Sequence, residues 1–235
     1  MLVLALETAT EHASVVLAED DRELASWRAV TRQDLCLRLA AEVTQVLQQA
    51  GAEPGDVTLV AVGLGPGSFT SLRVGLATAK GFCLARGVPL VGVSTLEAIV
   101  WQVKERVSGT VCPVIDARRG ELYAGLFQVA GTQVVRASEE FIARPAELQE
   151  RLAALGEPVS LLGQVDRIQP DALAELQGGR IEVPGDPVAP DALAIACIGR
   201  QRYLSRPVDE IDSARPIYVR RSYAEERFDI DLGLR

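Results

Sequence analysis

The sequence predicts a duplicated α/β fold, two units that each pack helices on a mixed β-sheet. Three observations carry this. The order βββαβαβα read over the first hundred residues begins again near residue 111. The helices between neighbouring strands are long enough for the crossovers that parallel pairing needs. At 235 residues, 48% apolar and 24% charged, the chain is long enough for two ordinary globular cores. The expected division is 1–106 and 107–235, with the second unit a weaker copy of the first.

Leu2 to Leu6 is an apolar run of strand length. After a Thr-rich turn, Ser14 to Ala18 and, across Glu19-Asp20-Asp21, Glu23 to Arg28 complete a three-stranded meander. From Asp34 the period becomes helical, with Leu35, Leu39, Val43 and Val46 or Leu47 on one stripe and Gly51 at the expected C′ position. Val57 to Val62 is a continuous apolar strand leading into GLGPGSFTSLRVG at 63–75. Thr70 to Arg86 is a second helix stopped by Gly87, and Val88 to Val93 is another strand. Ser94-Thr95-Leu96-Glu97 has the capping-box pattern that opens a third helix.

In the second unit, strands are expected at Val111 to Ile115, Leu122 to Val129 and Gln133 to Arg136, with a turn at Arg118-Arg119-Gly120. A helix over Pro145 to Leu155, a short strand at Val159 to Leu162, a Pro- and Gly-bearing stretch and a helix over Asp191 to Leu204 complete the series.

A net charge of −8 argues against a chain that grips nucleic acid over a broad surface, because neutralising phosphates needs a local Lys/Arg excess. The one basic cluster, Arg215, Arg220 and Arg221, reads either as a carboxylate-paired surface or as a contact with RNA or a partner. The four cysteines, Cys36, Cys83, Cys112 and Cys197, lie far apart without a C-x-x-C, as small buried residues of a reducing compartment do. No apolar run approaches the roughly 20 residues of a membrane helix, and the N-terminal one meets Glu7 with no basic segment before it. A cytoplasmic protein is expected.

A ligand site in a duplicated fold of this kind is expected in the cleft between the halves, at the carboxyl ends of the strands. The turns there are Glu7-Thr8-Ala9-Thr10 and Asp116-Ala117-Arg118-Arg119-Gly120, each opening with an acid after an apolar strand. Two readings stand side by side. In one, Glu7 and Asp116 hold a hydrated Mg²⁺ while Thr8, Thr10 and Arg118 bind phosphate oxygens; in the other, the acids end their strands and pair with nearby arginines.

Several absences bear on catalysis. The first turn has no glycine to let a phosphate approach the backbone. His12 is the only histidine, which leaves no zinc or iron constellation and little support for a Ser-His-Asp hydrolase. The glycine-rich stretch lacks the Walker lysine.

Gly65-Pro66-Gly67 followed by Ser68, Phe69 and Thr70 reads as a rigid corner, with Ser68 or Thr70 capping the helix. Anion binding at that helix N-terminus is the alternative. The helix is apolar or small nearly all round, its only charges being Arg73, Lys80 and Arg86, and Ala77, Gly81 and Ala85 form a small-residue ridge. Either a second layer covers it or it is buried within its own unit.

LALETATEHASVVL, AVGLGPGSFTSLRVGLATAKGF, VPLVGVSTLEA, PVIDARRGELYAGLF and ARPIYVR, in this order and spacing, resemble the bacterial TsaB (YeaZ) family, densely over the first 130 residues and thinly beyond. The resemblance implies two RNase H-like halves of the actin, Hsp70 and sugar-kinase fold group. It implies a non-catalytic subunit that works with TsaD and TsaE to transfer threonylcarbamoyl from threonylcarbamoyl-AMP to the adenosine beside the tRNA anticodon. TsaD would carry the metal and the chemistry, tRNA would be reached through the complex, and any ATP or ADP would sit at the complex interface. It also implies a homodimer in isolation that uses the TsaD-binding surface on the first two helices, here through Leu35, Leu39, Arg73, Ala77, Lys80, Gly81 and Phe82. Two departures stand out: Ser71 where the family usually has glycine, and Thr31-Arg32-Gln33 where it often has His-Ser. The rival within the fold group is a self-sufficient Mg-dependent ATPase or kinase using Glu7, Thr8, Asp116 and Arg118. A metalloprotease-like activity is disfavoured by the single histidine.

Overall fold

The structure, a computed structural model, describes residues 1–31, 34–177 and 181–220. Arg32, Gln33 and Arg221 therefore lie outside the described residues. The chain forms two compact units, the first made of 1–98 and 190–217 and the second of 99–189 and 218–235. A split at 106/107 would have given the last helix to the second unit; its packing gives it to the first.

In the first unit, β1 (Leu2–Glu7), β2 (His12–Glu19) and β3 (Arg22–Val30) form the meander, followed by α1 (Leu35–Gln49), β4 (Leu59–Gly63), α2 (Phe69–Arg86) and β5 (Leu90–Val93). The sheet order is β3-β2-β1-β4-β5, antiparallel among the first three strands and parallel from β1 to β5. Strand alternation divides the two faces. Leu4, Leu6, Val60 and Val62 join Leu39, Val43, Val46, Leu76 and Ala79 of α1 and α2 in one core.

The residues between them face the other way. Ala61 meets Gly199 of the last helix so closely that a Cβ at Gly199 would lie 2.7 Å from the Ala61 methyl. That helix, Ala192–Ser205, is thus the third layer of the first unit. Asp191 caps it, accepting from the Leu193 amide at 2.9 Å, and ties it to β3 through Arg28 at 2.6 Å; the Ala192 amide donates to Ser14 on β2 at 2.9 Å. Residues 206–217 then run along the sheet edge. Asp209 and Glu210 accept from the Leu90 and Gly92 amides of β5 at 3.1 and 2.6 Å, and the Ile217 amide donates to the Leu64 carbonyl at 2.7 Å. Carboxylates over an edge strand occupy its free N–H groups and block further pairing.

α3 (Thr95–Val103) spans the division. The second unit holds β6 (Gly109–Arg118), β7 (Glu121–Ala124), β8 (Phe127–Ala130), β9 (Gln133–Arg136), β10 (Phe141–Ala143), α4 (Pro145–Ala153), β11 (Val159–Gly163), α5 (Pro170–Leu176) and β12 (Ile181–Glu182); the last helix of the chain is α6. Its order β10-β7-β6-β11-β12 repeats that of the first sheet.

The expected strand Leu122 to Val129 is two strands. β7 pairs β6 over Val114 to Arg118, and β8 pairs it over Gly109 to Val111. Between them the backbone of Leu126 turns to bond Ser138 and Ala137 instead of the sheet. β10, α5 and β12 carry too short or too polar a pattern to be read from periodicity, and they complete the copy. Leu148 and Leu152 of α4 and Leu176 of α5 pack on Cys112, Val114 and Leu161 of this sheet. Among the described residues no helix is long and apolar enough to cross a membrane.

Candidate functional site

The glycine-rich stretch is a corner seated on the first turn of the chain. Gly65 has a φ of +97°, open to glycine and strained for other residues. Gly67 lies against Ala9 so closely that a Cβ there would be 2.1 Å from the Ala9 carbonyl oxygen. That carbonyl accepts from the Ser68 amide at 2.7 Å. Ser68 caps α2, accepting from the Ser71 amide at 3.4 Å, and its hydroxyl meets the Ser71 hydroxyl at 3.0 Å. Serine at position 71 thus fits the corner and adds a hydrogen bond to its cap.

The residues expected to hold Mg²⁺ and phosphate are structural in the first unit. Glu7 is fully buried; its Oε1 accepts from the Ala9 amide at 2.6 Å and its Oε2 from the Thr95 hydroxyl at 2.9 Å. Burial pushes its carboxyl up to about 7, against the lowering effect of these hydrogen bonds. The buried Thr8 hydroxyl donates to the Ser71 carbonyl at 3.0 Å, so the turn also holds the start of α2. The Thr10 hydroxyl is bonded to the backbone of His12 at 3.2 Å. A hydrated cation needs open carboxylate oxygens, and the buried Glu7 offers none, so Glu7 does not fit Mg²⁺. Among the described residues no three His, Cys, Asp or Glu side chains are grouped to hold a metal.

In the second unit, Asp116 is half-buried at the end of β6 and accepts from the Arg118 amide at 2.7 Å, while the Arg118 guanidinium pairs with it at 3.1 Å. Arg118, Arg119 and Gly120 have φ of 65°, 57° and 74°, a left-handed run that turns β6 tightly into β7. Glu7, Thr8 and Thr10 belong to one unit and Asp116 and Arg118 to the other. Of the basic cluster, Arg215 donates to the Asp212 and Ala214 carbonyls, and Arg220 is bonded to Glu121 and to the Ala117 carbonyl.

The outer surface of α2 is a different kind of feature. Its buried residues, Leu72, Gly75, Leu76, Ala79 and Cys83, form one stripe, so the helix is not enclosed by its own unit. The opposite side leaves Thr70, Arg73, Ala77, Gly81, Leu84 and Ala85 exposed, with Leu84 at 74%. Arg73 stacks over the Phe69 ring at 3.9 Å, which places apolar surface and a cation at the first turn. On α1, which packs beside α2, Leu37 is 83% exposed.

The expected contact residues divide accordingly. Arg73, Ala77 and Gly81 are exposed and Lys80 is half-buried. Phe82 packs partly against the core, and Leu35 and Leu39 are inside it at 6% and 1% exposure. The last two carry the stripe with which α1 covers its own sheet, so they present no surface to a partner. Sequence reading missed Leu37 and Leu84; the spacing of Arg73, Ala77, Gly81 and Leu84, one face of a 3.6-residue period, was the available signal.

Residues 30–177 match the family model described as TsaD, tRNA N6-adenosine threonylcarbamoyltransferase. The chain is 31% identical over 230 residues to the TsaB protein of Escherichia coli (strain K12), named a tRNA threonylcarbamoyladenosine biosynthesis protein, covering 95% of this chain and 96% of that one. It is similar to the solved structure of YeaZ from Pseudomonas aeruginosa, with a TM-score of 0.72 at 27% identity over 92% of this chain and 99% of that one. The activator of 2-hydroxyisocaproyl-CoA dehydratase from Clostridium difficile, solved with bound ADPNP, shares the fold, with a TM-score of 0.52 at 11% identity over 87% of this chain and 96% of that one.

Proposed function

The chain belongs to the TsaB (YeaZ) family, and from that premise we propose that it is the non-catalytic subunit of a tRNA threonylcarbamoyl transferase complex. In this reading it serves TsaD, with TsaE, in moving threonylcarbamoyl from threonylcarbamoyl-AMP to the adenosine beside the anticodon. It reaches tRNA only through that complex, and any ATP or ADP is held where the subunits meet. Alone, it forms a homodimer through the surface that TsaD would cover.

The observation that carries this is the bare outer side of α2. A surface helix keeps charged residues on its solvent side; here, beyond Arg73 at the first turn, that side offers Ala77, Gly81, Leu84 and Ala85, small and apolar side chains that let a second helix approach closely. The engaged carboxyl of Glu7 supports an accessory rather than a catalytic role, because it leaves that turn no open oxygen for a cation.

Size-exclusion chromatography with light scattering, on the chain alone and mixed with TsaD, followed by a tRNA modification assay of each combination, tests the proposal. A homodimer that converts to a heteromer, with modification requiring both chains, is expected. A monomer indifferent to TsaD, or modification by either chain alone, would overturn it.

A further inference from the structure

Two supports of the α2 corner lead back to one buried carboxyl. The Ala9 amide donates to Glu7 Oε1, and the Ala9 carbonyl on the same peptide turn receives the Ser68 amide. On the other side, the Gly65 amide donates to the Thr95 hydroxyl at 3.2 Å, the Thr95 hydroxyl donates to Glu7 Oε2, and the Thr95 amide returns to the Gly65 carbonyl at 2.8 Å. The carboxylate lies against Gly63 of β4, with Oε2 2.3 Å from where a Cβ would be. A hydroxyl has one proton to give. With the carboxyl ionised, every member of this relay is satisfied. A proton on Oε2 would turn that bond round and leave the Thr95 hydroxyl proton without its acceptor, and one on Oε1 would oppose the Ala9 amide.

We propose that Glu7 is a positioning residue for the partner face: the hydrogen bonds its ionised carboxyl accepts fix the start of α2, and taking up a proton releases one of them. The inference rests on the reading of α2 as the TsaD-binding surface. The charged group acting on Glu7 is Asp191 at the start of α6, itself paired with Arg28 of β3. β4 and α3 meet the carboxyl with Gly63 and Thr95, and Glu97 of α3 is turned to Arg202 of α6. Burial brings the titration to about 7, so both forms are populated near neutral pH.

The test measures TsaD binding from pH 6 to 8.5 for the wild-type chain and for Glu7→Gln, with amide hydrogen exchange at Ala9, Gly65, Ser68 and Thr95 in each chain alone. Wild-type binding should strengthen by roughly fivefold as pH rises through about 7, the worth of one hydrogen bond. Glu7→Gln should be flat at the weak level. Corner amides of the wild type should gain protection over the same range beyond the intrinsic pH effect, and those of the variant should not. Global stability falls as this buried group ionises in either case, so a purely structural carboxyl predicts no gain in binding or in corner protection over this range. Parallel pH profiles for the two proteins, in binding or in exchange, would overturn the proposal. Absence of TsaD binding at every pH would overturn the function proposed above, while exchange would still decide the role of Glu7. If Glu7→Gln does not fold, ¹³C titration of the Glu7 carboxyl against the corner amide shifts of the wild type replaces it, and unlinked midpoints refute the coupling.

Discussion

Gly67→Ala and Gly81→Ala make the same chemical change four helical turns apart and should act with opposite sign. At Gly67 the new methyl would sit 2.1 Å from the Ala9 carbonyl oxygen and 2.7 Å from its carbon. An ordinary carbon–oxygen contact needs about 3.3 Å, so the turn must retreat by roughly 1 Å. It is pinned there, by the Ala9 amide on Glu7 and the Ser68 amide on the Ala9 carbonyl. Retreat forfeits a hydrogen bond of about 1 kcal/mol and imposes about 1–3 kcal/mol of overpacking. The backbone at Gly67 is outside the left-handed region, so alanine recovers about 0.4–1 kcal/mol through the unfolded chain. The net expectation is a loss of about 1–3 kcal/mol. At Gly81 no atom beyond the helix's own backbone lies within 4 Å of the added methyl. Alanine there should stabilise by about 0.5–1 kcal/mol through helix propensity alone. Urea denaturation followed by tryptophan fluorescence and circular dichroism measures both. A Gly67→Ala protein as stable as wild type would refute the corner as described.

Leu84→Glu should leave the monomer within about 0.5 kcal/mol of wild type, since the side chain is exposed, yet weaken homodimer and TsaD association at least tenfold; light scattering and titration calorimetry read both. For Glu7 the folded-state value of about 7 lies above the ordinary carboxyl value of 4.5, so its contribution to stability is complete below pH 4.5 and is lost as pH rises through about 7. Glu7→Gln should therefore become more stable relative to wild type between pH 5 and 8, by up to about 3 kcal/mol, and thermal melts showing the reverse slope would exclude burial as the dominant cause. Burial pushes the Cys83 and Cys112 thiols up to about 12, Cys197 is buried, and Cys36 is exposed. One equivalent of a disulfide reagent should react quickly with the native protein at pH 8, and fast labelling of more than one thiol would contradict the packing.

The local record of the chain was sufficient for much of the fold. The apolar run Leu2 to Leu6 marked β1, the Leu35-Leu39-Val43 stripe marked α1, and the Gly65-Pro66-Gly67 turn before a capping serine marked a corner launching α2. Such features are carried by neighbours a few residues apart, where period and capping chemistry act. Sequence also brought out the duplicated order, because β6, α4 and β11 of the copy keep enough of their own pattern to be recognised, whereas β10, α5 and β12 do not.

Other features depend on residues far apart in the chain, and only the tertiary structure decided them. The acid that reads as a metal ligand is Glu7, and the hydroxyl that occupies its second oxygen comes from Thr95, 88 residues away. α6 has a helical sequence like any other; its assignment to the first sheet follows from Gly199 against Ala61 and from Asp191 reaching Arg28. Leu35 and Leu84 are both leucines on helices, yet one faces the sheet and the other faces out. Sequence determined most of the helices and strands, because those preferences are local, but not the break between β7 and β8. Packing decided which polar groups are enclosed and which apolar ones remain bare, because burial is a property of what the rest of the chain places beside them.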